Sequence, residues 1–164
     1  MNLAIVCSWL NQYGGAERVL EVVHSMYPQA PIYTSIFAPD VLPSYYRNWD
    51  IRPSFLDRLP LSKRLGQALL PLYPLAFESL DLRNYEVVLS ITSGFAHGVL
   101  TSCETQHVCY CLTPARFLWS YHSYVEREGL GKVARLLLPL FLKGLRQWDH
   151  AAAARVDQFV AISR

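Results

Sequence analysis

The sequence predicts an α/β fold: an open parallel β-sheet flanked by helices. Three observations carry that reading. First, short and nearly continuous apolar runs recur at Leu3 to Ser8, Pro31 to Phe37, Glu86 to Thr92, Val108 to Cys111 and Asp157 to Ser163. Runs of this kind suit strands buried on both faces, the situation inside a parallel sheet. Second, apolar residues at helical period lie between the runs, most clearly at Ala16, Val19, Leu20, Val23 and Met26. Third, small or turn-forming pairs follow the strands: Gly14-Gly15, Ser93-Gly94 and Thr113-Pro114. Strands alternating with helices imply parallel pairing through right-handed crossovers.

In chain order, the opening strand, glycine turn, helix and second strand make a βαβ unit, with Pro28 stopping the helix. Ala38 to Pro60 is rich in Pro, Asp, Ser and aromatics, and reads as loops around a short strand near Ile51. Ser62 to Leu70 reads as helix, with Pro71 and Pro74 interrupting the apolar stretch beyond it. Gly131 to Arg155 reads as a long helix bent at Pro139. No internal repeat, low-complexity tract or linker divides the 164 residues, so residues 1–164 read as a single domain.

Composition narrows the function classes. Apolar residues make up 52% and charged residues 17%, which excludes a disordered chain. A net charge of +2, without basic runs interleaved with aromatics, argues against a nucleic-acid binder. Cys7, Cys103, Cys109 and Cys111 have no framework spacing, so reduced thiols in a cytoplasmic protein are expected. The N-terminal MNLAIVCSWL lacks a basic region and a cleavage site, and reads as a core strand rather than a signal peptide. No stretch of about 18 uninterrupted apolar residues offers a membrane span.

Open parallel sheets bind ligands beyond the carboxyl ends of their strands. Gly14 and Gly15 let backbone approach a ligand closely, and amides at a helix start favour an anion; a tight structural turn is the competing reading. Glu17, in the first helical turn, suits either capping or ligand contact. Thr92 to Gly98 is a small-residue loop that presents His97 as an acid, base or sugar-hydroxyl partner, against the alternative of a helix-start turn with an exposed His. His107, Cys109 and Cys111 share one strand face, but without a fourth ligand no metal site is expected there. In Leu112 to Trp119, Thr113 is placed to cap a helix that begins at Pro114. Arg116 and Trp119 then fall on one face, offering a guanidinium fork and a flat ring for a sugar. Lys132, Arg135, Lys143 and Arg146 flank an apolar helix, and Lys63 and Arg64 precede its apolar companion. Basic residues beside Leu and Phe suit contact with anionic lipid, while snorkelling over a buried face is the alternative.

The segments LAIVCSW, YGGAERV, SGFAHGV, CYCLTPARFLW and VDQFVAISR, in this order, resemble the retaining glycosyltransferases of family 4. The resemblance covers essentially the whole chain. It implies a GT-B architecture of two Rossmann-like domains facing across a cleft, of which this chain is the N-terminal, acceptor-side half. It implies that Gly14 and Gly15 approach the donor diphosphate, and that Ser93, His97, Thr113, Arg116 and Trp119 face the acceptor. Where the family usually reads Tyr-Cys-His-Thr-Pro, this chain carries Leu112 in place of the His, and no catalytic residue is assigned. The resemblance implies a C-terminal donor-binding domain outside this chain, in cis or in trans.

The expected activity is transfer of a sugar, with retention, from a nucleotide-sugar donor to a glycan or lipid-linked acceptor. The nucleotide sugar is a co-substrate; no other cofactor and no metal are expected. Such a chain would be cytoplasmic, with peripheral contact to the inner face of the membrane, and inactive on its own. The alternative is a non-catalytic binding module, or a split-enzyme subunit that pairs with a separate catalytic domain or membrane. A dinucleotide oxidoreductase ranks last, because GxGxxG and an acidic ribose binder are missing.

Overall fold

The computed structural model describes residues 2–59, 69–119 and 132–162, with backbone alone for residue 117 and residues 132–140. Within them the strands β1 (Leu3–Cys7), β2 (Ile32–Thr34), β3 (Ile51–Pro53), β4 (Val87–Thr92), β5 (Gln106–Cys111) and β6 (Gln158–Ala161) form one sheet. Its order is β3-β2-β1-β4-β5-β6, and every pairing is parallel. The chain therefore builds outward from β1 in one direction and then from β4 in the other. The reversal falls between β1 and β4, where Ile5 faces Leu89 and Cys7 faces Ile91. This is an open α/β sheet of Rossmann-like arrangement.

Helices cover both faces. Alternate residues of β1 supply two cores: Leu3, Ile5 and Cys7 on one side, Ala4 and Val6 on the other. The first side packs under α1 (Gly15–Met26) through Leu20, with Tyr46 and Leu42 from the loops. The second packs under α2 (Tyr73–Glu78), α3 (Arg116–Trp119) and α4 (Lys132–Ala153), through Phe77, Leu118, Leu142 and Leu145. Complete burial stabilises each such side chain by about 1.5–3 kcal/mol, so this central strand anchors the domain.

Several boundaries differ from expectation. The second strand was expected to reach Phe37, but β2 ends at Thr34. Beyond it Ser35 donates its hydroxyl hydrogen to the Ser8 carbonyl, and pairing resumes only as a single parallel bridge, Leu10 with Phe37. Of the apolar stripe of α1, Leu20 is buried and Val19 and Val23 pack against the same core, while Met26 is 63% exposed. His24 fills that place because its ring packs on Trp49, centroids 4.1 Å apart. Pro28 does follow the helix end: Tyr27 closes α1, its N–H donating to Val23 and His24 carbonyls. Within the apolar stretch, Pro71 and Pro74 each occupy the first turn of a short helix, where a missing N–H costs nothing. Pro139 lies inside α4 without ending it. Thr113 caps no helix. Its hydroxyl donates to the Pro114 carbonyl at 3.2 Å, and α3 begins at Arg116. Residues 62–68 of the expected helix lie outside the described residues.

Candidate functional site

The carboxyl ends of β1 and β4 meet at the sheet's reversal point, and two residue groups sit along that edge. The first joins the loops after β1 and β4. The Ser93 amide donates to Ser8 Oγ at 3.3 Å, and the Gly94 amide donates to Thr92 Oγ1 at 3.2 Å. A Cβ on Gly94 would lie 3.0 Å from the Trp9 ring, so the small residue allows that close approach. Ser8, Trp9, Glu17 and Ser93 line a recess of about 10 Å³, room for roughly one water.

Gly14 and Gly15 stand at this edge, at the start of α1. Gly14 is the N-cap, and its amide donates to Glu17 Oε2 at 2.7 Å. Glu17 is 2% exposed. Burial pushes its carboxyl above the usual range, opposed by hydrogen bonds from backbone amides and reinforced by nearby Glu21. Glu17 is thus a structural cap, and one helix-start amide is already bonded within the chain. A Cβ on Gly15 would meet nothing within 4 Å, so that glycine borders open space.

The second group sits over the ends of β4 and β5. His97, in the turn Ala96–Gly98, is almost fully buried. Its Nε2 lies 3.3 Å from Asp149 Oδ1 of α4. The other oxygen of that carboxylate, Oδ2, accepts from the Trp119 indole at 3.0 Å. Trp119 is 53% exposed and has the Arg146 guanidinium 5.8 Å from its ring centroid. Arg146 also donates from Nε to the Leu118 carbonyl at 2.6 Å, which clamps α3 to α4.

A line of aromatic contacts links the two groups. Trp9 meets Tyr73 edge-on at 6.1 Å, Tyr73 stacks on Phe95 at 5.2 Å, Phe95 meets Trp148 at 5.6 Å, and Trp148 meets His97 at 5.8 Å. Trp148 is held in turn by donation to Glu78, which also accepts from Arg155.

The structure therefore gathers Gly14, Gly15, Glu17 and Ser93 at one end of the edge, and links His97 with Trp119 at the other. Thr113 and Arg116 follow β5; Arg116 is exposed and Thr113 half-buried. Of the basic residues flanking α4, Lys143 is exposed, whereas Arg146 is engaged by Leu118 and Trp119. The side chains of Lys132 and Arg135, and all of Lys63 and Arg64, lie outside the described residues. Sequence reasoning missed Asp149. Its signal was present: it is the only acidic residue in the Lys132–Ala153 segment.

The His107 face is core. His107 Nε2 pairs with Ser90 Oγ at 2.9 Å, its Nδ1 has no partner among the described residues, and burial lowers its pKa to about 4. Burial also pushes the Cys7 and Cys109 thiols up to about 12. Cys111 is raised by burial and then by the charge of Asp149. Raised thiols remain protonated and are poor nucleophiles and ligands. Among the described residues no group of three His, Cys, Asp or Glu side chains could hold a metal ion. Among them, too, no helix is long and apolar enough to cross a membrane. Comparison with known proteins found no matching family model, no matching curated protein and no matching solved structure.

Proposed function

We propose that this chain is the acceptor-side domain of a retaining glycosyltransferase, which transfers a sugar from a nucleotide-sugar donor to a glycan or lipid-linked acceptor. The observation that supports it most is the reversal of strand order between β1 and β4. Ligands of open parallel sheets bind in the crevice outside such a point, and Gly14, Gly15 and Ser93 flank it. In this reading Trp119 offers a ring for a sugar to stack on, and His97 with Arg116 supplies polar contacts. The donor diphosphate reaches the chain on the open side of Gly15, because Glu17 already takes the Gly14 amide. A partner domain, in cis or in trans, supplies most donor affinity. Exposed Lys143 and exposed Phe141, on the same helix, favour peripheral contact with anionic lipid.

The same strand order also serves dinucleotide enzymes. Two features weigh against that reading. The turn after β1 has a single glycine pair, with Leu10 buried in the core rather than a glycine-rich phosphate turn. The end of β2 carries Thr34 and buried Ser35 instead of an acidic ribose binder. Calorimetric titration with GDP-mannose, UDP-glucose and NAD, beside saturation-transfer NMR with a panel of oligosaccharides, tests the proposal. Oligosaccharide binding with weak donor affinity is expected. Micromolar affinity for NAD, with no saccharide bound, would overturn it.

A further inference from the structure

A single carboxylate touches two of the residues assigned above to the acceptor. Asp149 faces His97 Nε2 with one oxygen at 3.3 Å and accepts from Trp119 Nε1 with the other at 3.0 Å. We propose that Asp149 is a positioning residue of the acceptor site: it holds His97 in the Nε2–H tautomer and fixes the plane of the Trp119 ring. This rests on the glycosyltransferase reading, which it deepens by naming the group that arranges the sugar contacts.

The chemistry follows from the atoms. One carboxylate oxygen accepts from the Trp119 indole, and the other lies 3.3 Å from His97 Nε2, where it favours a proton on that nitrogen. Which imidazole nitrogen carries the proton is set by the partners of the two ring nitrogens. A proton kept on Nε2 by Asp149 leaves Nδ1 as the acceptor in neutral His97, suited to a sugar hydroxyl. Trp119, more than half exposed, keeps a free ring surface while its polar edge is tethered. Exposed rings with tethered edges lose little conformational entropy on stacking, which is how preorganisation aids binding. Three further contacts stiffen the arrangement: Trp148 against His97, Arg146 over Trp119, and Arg146 on the Leu118 carbonyl. Asp149 is nearly buried itself, so its charge is answered within this group rather than by solvent.

Asp149→Asn separates the two contacts, because a carboxamide has one acceptor oxygen for two donors. The chain is labelled with ¹⁵N, and the His97 imidazole and Trp119 indole resonances are followed in wild type, Asp149→Asn and Trp119→Phe. Wild type is expected to show His97 in the Nε2–H tautomer. Asp149→Asn should shift the tautomer ratio at least fivefold or move the Trp119 indole resonance, with an unchanged far-ultraviolet spectrum. Trp119→Phe, which removes the indole donor at an exposed position, should leave the His97 tautomer as in wild type and keeps the test available if Asp149→Asn does not fold. Unchanged His97 and Trp119 resonances in Asp149→Asn overturn the proposal, as does an Nδ1–H tautomer in wild type or Trp119→Phe. Adding maltotriose and a mannotriose separates the two readings. Saccharide-induced shifts of Trp119 in wild type that weaken at least threefold in Asp149→Asn support both. A tautomer change with no saccharide response at Trp119 overturns the acceptor reading while leaving Asp149 as the group that orients His97.

Discussion

A Cβ placed on Gly98 would lie 2.2 Å from both Cζ2 and Cη2 of Trp148, so the indole occupies the space a side chain would need. The ring has little freedom to withdraw. Its Nε1 donates to Glu78 at 2.8 Å, and Phe95 and His97 pack against it. Gly98→Ala is expected to cost about 1–3 kcal/mol, the usual penalty for overpacking. Urea denaturation should show a lower midpoint with an unchanged slope. A midpoint equal to wild type would mean that the indole relocates freely.

Glu17 separates capping from charge. Glu17→Ala removes the bond to the Gly14 amide and should cost about 1 kcal/mol, the typical loss for a helix cap. Glu17→Gln keeps an acceptor oxygen and lacks the buried charge. Because burial raises the Glu17 pKa, its contribution is full below its unfolded value and is lost as pH rises through the folded one. Stability of Glu17→Gln relative to wild type should therefore increase from pH 4 to pH 7. Thermal melts across that range check the direction, and a constant difference would contradict it.

His107 acts with the opposite sign. Its pKa falls from an unfolded value of 6.5 to about 4 in the fold, chiefly because burial penalises the charged ring. The unfolded chain then binds more protons between those values, so stability is full above 6.5 and falls as pH drops toward 4. At 1.36 kcal/mol per unit, the loss amounts to roughly 3 kcal/mol. His24, also lowered by burial, adds in the same direction. His107→Gln should flatten most of the slope in that window. An unchanged slope would assign the acid sensitivity elsewhere.

Trp119 is expected to matter more to ligand than to fold. It is more than half exposed, so its removal costs the fold chiefly the indole donation to Asp149, about 0.5–1.5 kcal/mol. Removal of an aromatic platform worth about 0.5–1.5 kcal/mol corresponds to a loss of saccharide affinity of roughly two- to tenfold. Trp119→Ala should show that loss in saturation-transfer titrations, with its melting temperature only modestly lowered. A large drop in melting temperature with intact saccharide affinity would reverse the assignment.

Co-sedimentation with anionic vesicles tests the proposed lipid contact. Each basic residue near such a surface contributes about 1 kcal/mol, screened by salt. Changing Lys132, Arg135 and Lys143 to Glu should reduce recovery with vesicles, most clearly at low ionic strength. Arg146 is left unchanged because it clamps α3 to α4. Equal recovery of wild type and variant would leave the surface without a lipid role.

The sequence by itself determined the α/β class and the places where chain leaves sheet. Buried parallel strands need unbroken apolar runs, and Leu3–Cys7 and Val87–Thr92 are such runs whatever surrounds them. The Gly14-Gly15 turn and the helix that ends before Pro28 were legible for the same reason: they are set by local backbone chemistry. Tertiary structure decided what local signals cannot encode. It settled the strand order, and with it the meeting of Ser8 and Ser93, residues 85 positions apart. It settled Glu17 as a cap, because only burial beneath Tyr46 and the glycine loop shows where its carboxylate goes. It also gave Asp149 a role. A lone acid on a basic, apolar helix reads as a solvated charge until α4 crosses the end of β4 and brings it between His97 and Trp119. That contact spans 52 residues on one side and 30 on the other, so it arises from packing of distant segments rather than from any periodicity within one.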